Sequence, residues 1–120
     1  MPTVEKIKRP WMPDTYKETR KQDPFYASTS WRKLRAAVMI DEPLCWYCQQ
    51  AGRAHPRMSK IGDHFRSKKL FPELALTRSN IRGCCDYHHY VKGIWERGLA
   101  NSAAFETGIQ SFLLRLKQLR

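Results

Sequence analysis

Two short cysteine-containing turns concentrate the metal-binding chemistry of this sequence. Cys45 and Cys48 stand in Cys-x-x-Cys spacing, and the run Cys84-Cys85-Asp86-Tyr87-His88-His89 answers them further along the chain. Short x-x turns let two ligands of one knuckle reach the same ion, and four Cys or His ligands close a tetrahedral structural site with no open position. Cys45 and Cys48 with the equally spaced pair Cys85 and His88 are therefore expected to hold a structural Zn²⁺. Neighbouring strand residues point to opposite faces, so Cys84 reads as a small core residue, with Cys84 and His89 left open as alternative ligands. A disulfide framework is the competing reading. It is disfavoured because Met1-Pro2-Thr3-Val4-Glu5 has no apolar signal region and no window approaches the ~18 apolar residues of a membrane span. The chain is thus expected in the reducing cytoplasm, with no membrane partner.

A closed zinc site does no chemistry, so any reaction falls to other residues. Asp63 and His64 are adjacent, and His89 follows directly on His88. If the zinc pins the helix carrying His89 against the strand carrying Asp63, the two form a second, open metal site. Oxygen and imidazole ligands with water in the remaining positions suit Mg²⁺, Mn²⁺, Ni²⁺ or a catalytic Zn²⁺.

The elements that must position these residues can be read from spacing. Residues 1–24 hold Pro2, Pro10, Pro13 and Pro24 among charges of both signs without periodicity, which predicts a basic arm. Its Lys6, Lys8, Arg9, Lys17, Arg20 and Lys21 suit phosphates, while Trp11 and Tyr16 are placed to stack or to dock on the core. Trp31, Leu34 and Val38 after Ser28-Thr29-Ser30 predict a capped helix near 29–40, stopped by Pro43. One strand is expected within Met58 to Phe65, then a long loop over 66–79, a second strand around Asn80–Cys84, and a helix from about Asp86 to Arg97 closed by Gly98. Phe105, Ile109, Phe112, Leu113 and Leu116 line one face of a terminal helix within 99–120, which suits core packing or a dimer seam. The class is α+β, in one domain over 25–98 with flanking segments. The sequence has 120 residues, a length that predicts one domain rather than a two-domain enzyme, and 22 Lys+Arg against 11 Asp+Glu give a net charge of +11. Such a charge attracts polyanions, nucleic acid first among them.

Taken in order, Phe25-Tyr26, Trp31-Arg32-Lys33-Leu34-Arg35, Cys45-x-x-Cys48, Asp63-His64, Pro72-Glu73-Leu74-Ala75-Leu76, Asn80-Ile81 and Cys85-x-x-His88-His89-x-x-Lys92 resemble the HNH endonucleases, most closely the small zinc-stapled members of bacteriophages. The match spans about residues 25–97. The resemblance implies a ββα-metal fold in which His64 is the general base, Asn80 braces the long loop or joins the ligands, and Asp63 and His89 hold one divalent ion on the scissile phosphate. Gly62, Cys84 and Tyr90 depart from the family pattern. Because Asp63 and His64 are adjacent, their joint use calls for a bend or bulge that Gly62 would permit.

The expected activity is that of a metal-dependent DNA endonuclease or nickase, with Arg66, Lys68, Lys69, Arg82 and Lys92 on the DNA and, as a further expected partner, a protein of phage DNA processing. If phage-encoded, the chain would work in the host cytoplasm. The competing function is a catalytically silent zinc module that binds nucleic acid.

Overall fold

The computed structural model describes residues 10–11 and 23–118. A 3-10 turn at Pro24–Ala27 leads into α1, Thr29–Asp41, whose N-cap Ser28 accepts from the Trp31 amide. Glu42 caps its far end and Pro43 follows. A five-residue helix α2, Trp46–Gln50, starts on the first cysteine knuckle. The strands β1, Ile61–His64, and β2, Ile81–Cys84, pair antiparallel with Asp63 opposite Arg82 and His64 opposite Ile81. β1 is shorter than the expected span because Met58 makes only an isolated bridge to Leu44. α3, Asp86–Arg97, has its expected bounds, and α4, Ser102–Leu116, is shorter at both ends than the expected 99–120 segment.

Two clusters of buried side chains flank the hairpin. Trp31 and Val38 of α1 pack with Ile81 on one side. On the other, Phe105, Ile109, Phe112 and Leu116 of α4 share a core with Cys45, Cys48, Cys84 and Cys85. The apolar stripe of the terminal helix therefore covers the cysteine knuckles, and Trp95 of α3 stacks on Phe112 with ring centroids 4.6 Å apart. Trp11 from the arm contacts the rings of Tyr87 and Tyr90 on α3. Tyr16 and the arm's basic residues lie outside the described residues.

Gly62 and Gly83 face each other across the hairpin, and Gly83 is needed for close contact with another segment. A Cβ at Gly62 would meet the Trp31 ring at 3.4 Å and Arg35 Cγ at 3.3 Å. A Cβ at Gly83 would run into Ser59 Oγ and the Glu42 carbonyl oxygen, the latter at 2.5 Å. Since that carbonyl belongs to backbone, Gly83→Ala should cost about 1–3 kcal/mol of overpacking, seen as a lower midpoint in urea. No bulge is present at Gly62: the register is regular, so Asp63 and His64 point to opposite faces of the hairpin.

Candidate metal centre and active site

Cys45, Cys48, Cys85 and His88 are buried, and one ligand atom from each lies within 4.8 Å of all the others. His88 Nδ1 stands 3.6, 3.4 and 3.4 Å from the sulfurs of Cys45, Cys48 and Cys85, and the last two sulfurs are 3.9 Å apart. A tetrahedral ion with arms of about 2.3 Å to sulfur sets donor separations of about 3.8 Å. The packing thus has the size of a metal shell. Nδ1 can ligate only when unprotonated, which leaves the proton on Nε2, a buried atom with no partner among the described residues. Such an orphan costs about 1–3 kcal/mol, a cost that coordination at Nδ1 offsets. Cys84 and His89 lie outside the group; Cys84 is buried and its thiol donates to the Cys85 carbonyl.

Each knuckle also begins a helix. Cys45 caps α2 by accepting from the Cys48 amide, and Cys85 caps α3 by accepting from the His88 amide. Helix N-termini favour negative charge, so both thiolates gain from this position. Arg57, which sequence reasoning missed, directs its amide and guanidinium at Cys48 Sγ, 3.5 and 3.7 Å away. Three thiolates and a neutral imidazole around a divalent ion carry a net charge of about −1, and Arg57 offsets it.

His64 lies on the α1 side of β1. Its ring stacks on Trp31 with centroids 4.9 Å apart, and Phe25 stands 5.8 Å away. Nε2 is 2.9 Å from the Ala75 carbonyl oxygen. A carbonyl only accepts, so Nε2 carries the proton and the neutral ring keeps its lone pair on Nδ1. Burial holds the His64 pKa below its ordinary value. The Ala75 contact and Asp63 pull the other way, while Lys92 and Lys68 add to the lowering.

Asn80 ties down the loop that supplies Ala75. Its Oδ1 accepts from the Arg66 amide at 2.8 Å, and its Nδ2 donates to the carbonyls of Arg66 and Leu74 at 3.0 and 3.3 Å. Asp63 lies on the opposite face of β1, where Tyr47 Oη donates to Oδ2 over 2.6 Å and Lys92 Nζ stands 3.2 Å from the same oxygen. His89 is half-buried on α3, three residues before Lys92. Helical spacing puts it one turn from Lys92, the residue of α3 that reaches Asp63.

The basic residues expected on DNA are distributed unevenly. Lys69 is exposed. Arg66 pairs with Glu106 of α4, Lys68 pairs with Asp23, and Arg82 approaches Glu42 at 3.5 Å while lying over the Trp46 ring. Lys92 corrects the expectation. It is 1 % exposed, donates to the His64 carbonyl at 2.8 Å, and is paired with Asp63 and Glu96. Burial works against its charge, but the two carboxylates outweigh burial and hold its pKa above the ordinary lysine value. An ammonium so enclosed has no donor left for a phosphate.

Among known proteins, no family model and no curated protein matches the chain. A solved structure does: the HNH endonuclease of the deep-sea thermophilic bacteriophage GVE2, crystallised with manganese ion. The two share 26% sequence identity and a TM-score of 0.56, over 61% of this chain and 78% of that one. The two-stranded antiparallel sheet, the helix α3 packed against it and the Cys/His cluster at its root therefore form an HNH endonuclease fold, the family that the sequence resembles.

Proposed function

We propose that the chain is a metal-dependent DNA endonuclease or nickase. The observation that carries the reading is the bond from His64 Nε2 to the Ala75 carbonyl, which leaves Nδ1 as a proton acceptor in a ring that burial keeps neutral. Phosphodiester hydrolysis needs water deprotonated on one side of phosphorus and charge offset on the other. Here His64 Nδ1 takes the proton from water. Asp63 and His89 are the residues that would hold a divalent ion, Mg²⁺ or Mn²⁺ with Ni²⁺ or Zn²⁺ as alternatives. When bound, such an ion offsets charge on the phosphate and the leaving oxygen. Asn80 acts through Leu74 and Ala75 to keep the His64 ring oriented. Zn²⁺ is the ion that best suits the three thiolates and imidazole of the other site. The net charge of +11 favours DNA, with Arg66, Lys68, Lys69 and Arg82 offered to phosphates.

Two observations favour the silent DNA-binding module: Asp63 already faces a cation, Lys92, and the regular register sets it on the face of β1 opposite His64, the base with which it would share a phosphate. Against the first, Lys92 is shared between two carboxyl groups, Asp63 and Glu96. Supercoiled plasmid separates the readings. Relaxation with Mg²⁺ or Mn²⁺, absent with chelator, is expected of the nuclease; salt-sensitive retardation without any nicking belongs to the silent module.

The pH dependence follows from the His64 environment. Its neutral form is the base, and its pKa lies below the free-histidine value of about 6.5. Cleavage at saturating Mn²⁺ should therefore be flat above that pH and decline as pH falls through the lowered pKa. A rate still climbing steeply between pH 7 and about 8 would remove His64 as the titrating base.

A further inference from the structure

Tyr47 and Lys92 have no place in the mechanism so far, yet they are the two side chains that meet the Asp63 carboxylate. Tyr47 is fully buried, and its hydroxyl bond of 2.6 Å is made to Oδ2. Lys92 approaches the same oxygen at 3.2 Å and also donates to the main-chain carbonyl of His64. Oδ1 takes no bond from either, nor from any other side chain among the described residues. The carboxylate is thus gripped by one oxygen while its strand is held one residue further along.

Both gripping residues come from helices that start on the cysteine cluster. Tyr47 precedes Cys48 on α2, and Lys92 follows His88 by four residues on α3. Their separation is therefore set where the four ligands meet.

We propose that Tyr47 and Lys92 are positioning residues that fix Asp63 through Oδ2 and present Oδ1 to a divalent ion, with the Cys/His cluster setting their spacing. The inference rests on the nuclease reading and assigns the two residues within it. Partners that orient a metal ligand typically matter by 10–100-fold in ion affinity or activity. A lysine that served only as countercharge would act in the opposite direction. Its removal would take a competing cation from beside Asp63 and tighten divalent binding.

Calorimetric titration of Mn²⁺ into the zinc-loaded full chain distinguishes these cases. Tyr47→Phe removes one hydroxyl and no charge, and it should weaken Mn²⁺ binding by about 10-fold or more with the zinc content unchanged. Lys92→Met should weaken it further, and Lys92→Arg should fall between Lys92→Met and wild type. The Mn²⁺ concentration for half-maximal cleavage should rise in the same order. Wild-type affinity in Tyr47→Phe, or tighter binding in Lys92→Met, overturns the positioning role. If Lys92→Met fails to fold, Tyr47→Phe decides alone. A wild-type chain that neither binds Mn²⁺ nor cuts DNA overturns the nuclease reading instead, and the assignment with it.

Discussion

Plasmid cleavage by the His64→Ala chain should fall by about 10²–10⁴-fold, the usual worth of a positioned general base. The substitution removes the only group proposed to take the proton from water and touches neither Asp63 nor His89. DNA binding and Mn²⁺ binding should therefore persist. His89→Ala should be equally inactive for another reason, because it deletes a ligand and should lose the ion. Both chains should keep zinc, since neither side chain belongs to the Cys45, Cys48, Cys85 and His88 group. Calorimetry with Mn²⁺ on the zinc-loaded variants separates the two failures. Full activity in His64→Ala, or undiminished ion binding in His89→Ala, would overturn the assignment of roles and favour the silent module.

Removal of the metal from the Cys/His group should unfold the domain. Structural Zn²⁺ contributes on the order of 10–16 kcal/mol in small domains, more than typical net stabilities of about 5–15 kcal/mol. The group sits in the larger core, directly beneath α4, and its loss would open that core from the centre. Cys85→Ser and Cys48→Ser should each show this as lost helical circular dichroism, and a strong chelator should reproduce it in the wild type. The effect should grow at lower pH. The Cys85 thiol without a cation is pushed up to about 11, first by Cys45 and then by burial, so protons compete well for the sulfur. Folded, active chain containing no metal would refute a structural role.

The parts of the fold legible in the sequence were those encoded over short distances. Ser28 before Trp31 marks a helix start, Gly98 after Arg97 a helix end, and the two x-x spacings bring Cys45, Cys48, Cys85 and His88 into one group. The illegible parts depend on which elements touch. Lys92 looks like a surface cation on any helical wheel that omits Asp63 and Glu96, and only the docking of α3 on β1 puts it inside. The five-residue helix α2 is too short for a periodic signal, so Tyr47 gave no hint that its hydroxyl reaches across to β1. Adjacency of Asp63 and His64 suggested a bulge. The regular register instead divides them between the two faces, each with its own set of partners.

The Asn80 amide holds both ends of the connection between the strands, at Arg66 on one side and Leu74 on the other. A connection clipped at its base in this way has its geometry set at the clip, and its span can change with little entropic penalty because closure entropy grows only slowly with length. Residues added beside the exposed Lys69 would leave the Asn80 bonds, Ala75 and His64 in place, at the cost of the Ser67–Phe71 turn and of the seat of Phe71 on Phe105. The same base could in this way serve substrates of different shape, with reach set by loop length and chemistry left alone.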